Sequence, residues 1–106
     1  AESDVKPTAV LGEALYVRLG CMACHSTDGS LDGKAGPSFK DAFGTMRTFT
    51  DGSTSRMDEA YIRRSILEPS SQIVEGYHEE MPAYLGVLSD TEIESITLFI
   101  KSLGKQ

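Results

Sequence analysis

Between Ser26 and Met57 the sequence runs through Gly, Ser, Thr, Asp and Lys with little apolar periodicity. From Glu68 to Leu88 it is broken again, by Pro69, Gly76, Pro82 and Gly86, residues that punctuate regular structure rather than continue it. Connections longer than about fifteen residues are uncommon in compact domains, and this chain has two, which is unusual in so small a domain. At 106 residues, with 40% apolar, four Phe, four Tyr and no Trp, one domain spanning residues 1–106 is expected, with a thin core.

The patterned remainder predicts three helices. Thr8 suits an N-cap, and Val10, Leu11, Ala14, Leu15 and Leu19 follow at helical spacing until Gly20. A second helix is predicted from about Asp58 to Leu67, carrying Tyr61, Ile62, Ile66 and Leu67 and ended by Pro69. Ser89-Asp90-Thr91-Glu92 has the form of a capping box. Ile93, Ile96, Ile100 and Leu103 then form one stripe, with Phe99 at its edge and Gly104 past the end. Thr50-Asp51-Gly52-Ser53 predicts a short hairpin on a two-residue Asp-Gly turn. The expected fold is therefore all-α, with a minor hairpin at most. Three helices and two long loops bury too little by themselves, which points to a core completed by something other than polypeptide.

No apolar run approaches the ~18 residues of a membrane span. Ala1-Glu2-Ser3-Asp4 lacks the basic start and apolar stretch of a secretory leader, so any leader is expected to have been removed or to lie outside this sequence. Sixteen acidic against ten basic residues give a net charge of −6, which argues against nucleic acid as a partner because phosphates need clustered cations.

Cys21-Met22-Ala23-Cys24-His25 supplies a candidate for the missing centre. C-x-x-C-H is the attachment signature of haem c. Two thiols on one turn add to the two vinyl groups on one side of a porphyrin, and the adjacent imidazole of His25 reaches the iron. Both cysteines are consumed, leaving none for a structural disulfide. Two other readings stay open. A redox-active dithiol needs a strand before the motif, and this one follows a helical segment. Zinc needs four ligands, which Cys21, Cys24, His25 and His78 supply by count.

An electron-transfer haem needs a second axial ligand. Met22 lies inside the attachment loop and is excluded sterically, while Met46 and Met57 flank the predicted hairpin, where packing accounts for them. Met81 precedes Pro82 far downstream, with chain enough to cross to the opposite haem face and a backbone restricted to extended conformations. His78 competes, though Glu75, Tyr77, Glu79 and Glu80 make its surroundings read as a solvated acidic loop.

The chain resembles small class I c-type cytochromes over essentially its whole length. More specifically, it looks like the haem-c domain of subunit II of caa-type cytochrome c oxidases. The resemblance rests on the haem motif, on Gly36-Pro37-Ser38-Phe39, on the stretch from Thr50 through Asp58-Glu59-Ala60-Tyr61-Ile62 to Pro69, and on Gly76-Tyr77 with Met81-Pro82-Ala83-Tyr84. The motif is shared by all such cytochromes, so the middle stretch carries the subfamily. The copper-binding domain and membrane helices that accompany this domain in the oxidase subunit are not in this sequence.

The resemblance implies a cytochrome c-like fold around one covalent haem c. Cys21 and Cys24 would be thioether-linked, and His25 and Met81 would be the axial ligands. Pro37 would present its carbonyl to the other nitrogen of His25, and Arg47, Tyr61 and Tyr77 are candidate donors to the propionates. The expected function is one-electron transfer in a respiratory chain, from a redox-protein donor to the oxidase copper centre. The domain itself would not be an enzyme. Met22 and Ala23 would border the electron port as a small uncharged patch suited to weak docking. Attachment of haem c places the domain in the periplasm or on the outer face of the cytoplasmic membrane, tethered through the rest of the subunit. A freely diffusing periplasmic cytochrome, and a haem enzyme or sensor with an open sixth site, are the alternatives.

Overall fold

A computed structural model describes residues 6–30, 36–69, 73–74, 76 and 88–104. Among them, helix α1 (Ala9–Arg18) leads into a 3-10 turn (Cys21–Ala23). Strands β1 (Met46–Thr48) and β2 (Thr54–Arg56) form an antiparallel hairpin, followed by α2 (Glu59–Leu67) and α3 (Asp90–Ser102). The mostly helical architecture with one small hairpin agrees with the expectation from sequence.

Each helix starts where its capping residue puts it. The Thr8 hydroxyl accepts from Leu11 N–H at 3.0 Å, and the Asp58 carboxylate accepts from Tyr61 N–H at 2.9 Å. Ser89 and Glu92 form the reciprocal capping box, at 3.1 and 3.0 Å. Gly20, at φ +82°, ends α1 in the left-handed conformation that glycine takes without steric cost. Pro69 stops α2 by forcing Glu68 out of the helical region, to φ −137° and ψ 66°.

The inward face of α1 matches the expected stripe only in part: Leu15 is buried and Leu11 and Leu19 pack against the core. Val10 is 80% exposed and Ala14 is exposed as well, whereas Gly12, Leu15 and Tyr16 are buried. Helix α1 carries two apolar stripes, and the one containing a glycine faces α3. A Cβ on Gly12 would overlap the Ser95 carbonyl oxygen and stand 2.8 Å from Phe99 Cβ, so only glycine lets the two backbones come this close. Ser95 is itself fully buried. Its hydroxyl donates to the Thr91 carbonyl at 2.8 Å and accepts from Thr8 N–H at 3.1 Å, which joins the start of α1 to α3.

The core contains Leu15, Tyr16, Phe39, Ala42, Met57, Ile62, Ile66, Ile93, Ile96, Phe99 and Ile100. Leu103, expected on the α3 stripe, is half-buried at the helix end. The irregular chain before the hairpin is braced from both sides. Asp41 N–H donates to the Leu103 carbonyl at 3.1 Å, and Gly44 N–H and Met57 N–H donate across to Met57 and Thr45 carbonyls, each at 2.7 Å. Thus the backbone groups of a segment without helix still find partners, as burial requires.

The hairpin loop is one residue longer than predicted. Phe49 N–H donates to the Ser53 carbonyl and Gly52 N–H to the Phe49 carbonyl, both at 2.9 Å, enclosing Thr50, Asp51 and Gly52. Gly52, at φ +87°, takes the left-handed position of a turn-plus-bulge connection. The Asp51 carboxylate accepts from Ser53 N–H at 2.9 Å. Thr50 N–H reaches the Ile73 carbonyl at 2.8 Å, and buried Phe49 bridges Val74.

Candidate functional site

The 3-10 turn puts Cys21 and Cys24 on one short loop directly after α1. His25 N–H and Cys24 N–H both donate to the Cys21 carbonyl, at 2.9 and 3.2 Å. Both thiols are free and half-buried. Burial is the main influence on the Cys21 thiol, pushing it above its ordinary pKa, with nearby Cys24 adding to the rise and a main-chain hydrogen bond opposing it. A redox-active dithiol needs the opposite shift. Among the described residues no three His, Cys, Asp or Glu side chains converge; His78, the fourth ligand of the zinc reading, lies outside them.

His25 is held on several sides. Its Nδ1 lies 2.7 Å from the Pro37 carbonyl oxygen; a carbonyl only accepts, so Nδ1 carries the proton. Burial lowers the His25 pKa, opposed by the Pro37 bond and reinforced by the field of Arg47. Burial thus favours the neutral ring, and with the proton on Nδ1 the lone pair lies on Nε2, which carries no hydrogen bond to a described residue. Phe39 stacks on the imidazole with centroids 4.5 Å apart and planes 14° from parallel. Gly36 backs the same ring: a Cβ there would overlap Cε1 and stand 2.8 Å from Nδ1 and 2.9 Å from Nε2.

The loop after the motif closes on itself to hold this arrangement. Gly36 N–H donates to the Cys24 carbonyl at 3.1 Å and Phe39 N–H to the Ser26 carbonyl at 2.8 Å. The Ser26 and Ser38 hydroxyls lie 2.9 Å apart, and Ser38 also reaches the Ser26 carbonyl at 3.2 Å. The buried Tyr16 hydroxyl donates to the His25 carbonyl from α1. Burial, the leading influence, raises its pKa and keeps it a donor.

Of the residues singled out from sequence, the structure brings together Cys21, Cys24, His25 and Pro37. Arg47 sits half-buried on β1 with a guanidinium nitrogen 3.7 Å from Met57 Sδ. Tyr61 packs against Phe49, centroids 5.7 Å apart. Met57 is buried in the core, while Met46 is 56% and Met22 46% exposed. Tyr77, His78 and Met81 lie outside the described residues, as does the side chain of Ala23. Sequence reading missed Tyr16, Phe39 and the Ser26–Ser38 pair; a tyrosine on an apolar helix face, whose hydroxyl must find a partner on burial, was the available signal.

The donor set fits haem c. Two free thiols share one turn, and beside them the imidazole is anchored through Nδ1, with no described residue hydrogen-bonded to Nε2. The cytochrome c family model matches residues 9–104. No curated protein sequence gives a match. Among solved structures, cytochrome cH from Methylobacterium extorquens superposes with a TM-score of 0.63 at 22% identity, covering 90% of this chain and 98% of that one. The family match runs from the first residue of α1 to just beyond α3, and the chain belongs to the cytochrome c family: a monohaem electron-transfer protein, not an enzyme, that binds haem c covalently.

Proposed function

We propose that this carrier holds its haem iron between His25 and Met81 and serves as the electron-entry domain of a caa-type cytochrome c oxidase, residues 1–106 forming one domain of its subunit II. The observation that carries the reading is the placement of His25: its Nδ1 is fixed by the Pro37 carbonyl, and it stands directly after Cys24. The oxidase context is supported by the similarity of the stretch from Thr50 to Pro69. Such a domain receives electrons from a redox protein and passes them to the copper centre of the same subunit. It works in the periplasm or on the outer membrane face, tethered through the rest of that subunit.

When bound, the haem supplies a one-electron couple between ferrous and ferric iron. Cys21 and Cys24 hold it by thioether bonds. The Pro37 carbonyl, accepting from Nδ1–H, fixes the imidazole plane and raises the basicity of Nε2. Met81 contributes a soft, neutral thioether, which favours ferrous iron and raises the potential relative to a second imidazole. Arg47, Tyr61 and Tyr77 are the donors proposed for the propionates. Met22, exposed between the two cysteines, offers an uncharged surface for brief contact with a partner.

Met81→Ala tests the ligand assignment. Loss of the methionine–iron charge-transfer absorption and a lowered potential are expected; an unaltered spectrum overturns it and moves the ligand to His78 or another methionine. Stopped-flow mixing of the reduced protein with a soluble oxidase copper domain tests the acceptor. Transfer no faster than to an unrelated copper protein overturns the oxidase role. Met22→Lys is expected to slow that transfer, and an unchanged bimolecular rate removes Met22 from the contact.

A further inference from the structure

His25 has four atoms able to hydrogen-bond, and the described residues engage three of them. Its N–H donates to the Cys21 carbonyl at 2.9 Å, and Nδ1–H donates to the Pro37 carbonyl at 2.7 Å. Its own carbonyl accepts from the Tyr16 hydroxyl. The first two partners belong to the motif and the loop that follows it. Tyr16 is different, because it ties His25 to the helical frame. Its ring lies 5.2 Å from that of Phe99 on α3 and 5.8 Å from that of Phe39, and Phe39 in turn stacks on the His25 imidazole. One tyrosine therefore reaches His25 by two routes, through the main chain by its hydroxyl and towards the imidazole by its ring.

A buried hydroxyl needs some acceptor, and that alone accounts for a bond. It does not account for the choice of the His25 carbonyl, the point where the chain leaves the motif. Rotation about the Cα–C bond of His25 would swing the imidazole against the loop from Gly36 to Phe39; a hydroxyl fixed in the core holds that peptide still. We propose that Tyr16 is a positioning residue for the haem, its hydroxyl setting the plane of the His25 imidazole and the aim of the Nε2 lone pair. This rests on the reading of His25 as an axial ligand.

Tyr16→Phe keeps the ring and removes the bond. In the haem-loaded protein, electron paramagnetic resonance of the ferric state and the spread of the haem-methyl proton shifts report imidazole orientation. Ser95→Ala serves as the control, since it removes a buried hydroxyl from the same α1–α3 junction without touching His25. The expected result is that Tyr16→Phe changes the g-values, the methyl-shift pattern and the reduction potential, while Ser95→Ala lowers stability and leaves all three in place. Unchanged spectra and potential in Tyr16→Phe, or equal changes in Ser95→Ala, overturn the proposal. In the reduced wild-type protein, a slowly exchanging Tyr16 hydroxyl proton close to His25 by nuclear Overhauser effect is expected, and its absence overturns the proposal even where the variant loads poorly. A wild-type ferric spectrum without an imidazole ligand overturns the assignment of His25 itself, a separate failure.

Discussion

Gly12 and Ser95 meet backbone to backbone where α1 crosses α3. A side chain on Gly12 would stand 2.6 Å from the Ser95 carbonyl carbon, nearer than packed atoms approach. In an exposed helix, replacing glycine by alanine gains ~1 kcal/mol. Here that gain is outweighed, because the obstructing atoms are main chain and cannot rotate aside. Overpacking of this kind costs ~1–3 kcal/mol. Gly12→Ala is expected to lower the guanidinium midpoint of the haem-loaded protein, and Gly12→Val to lower it further.

Gly36 has a more local role, because its absent side chain leaves room for the His25 ring. Gly36→Ala is expected to turn that ring off the Pro37 carbonyl and shift the ferric electron paramagnetic spectrum. Gly44 is the comparison: it sits at φ +87° with nothing within 4 Å of a Cβ. Gly44→Ala carries backbone strain of about 1–2 kcal/mol, seen as a lower midpoint with the haem spectrum unchanged.

The capping box of α3 gives a third test. Ser89→Ala leaves the Glu92 N–H without its acceptor, and loss of such a cap costs ~1 kcal/mol. Thermal unfolding of the haem-loaded protein is expected to show that loss. Because α3 covers the Gly12 face of α1, amide exchange is expected to rise in both helices.

The helix starts were legible because caps are local: Thr8, Asp58 and Ser89 each act within four residues. The buried face of α1 was legible in Leu11, Leu15 and Leu19 but not in Gly12, because apolar spacing gives no weight to a glycine, and here close approach of two backbones turned that side inward. The hairpin was legible from Asp51-Gly52, but its loop length was not. At the site, the C-x-x-C-H spacing pointed to the chemistry directly, whereas Pro37 entered only through the resemblance. Tyr16 and Phe39 lie nine residues before and fourteen after His25 in sequence, and no local pattern signals that they meet it.

Acid is expected to loosen the hairpin turn. The Ser53 hydroxyl and N–H, donating to the Asp51 carboxylate, hold its pKa below the ordinary value. A carboxyl depressed in the folded state contributes stability above its unfolded pKa and loses it as pH falls through the folded value. Amide exchange at Gly52 and Ser53, corrected for intrinsic rates, is expected to accelerate on acidification through that range. Asp51→Asn, which has no charge to lose, is expected to flatten the dependence.

The hydrogen bond from Thr8 to Ser95 joins residues 87 apart in sequence. During synthesis, α1 therefore emerges from the ribosome long before the surface it needs exists. Until α3 follows, the face of α1 that carries Leu15 and Tyr16 lacks the surface it packs against in the finished fold.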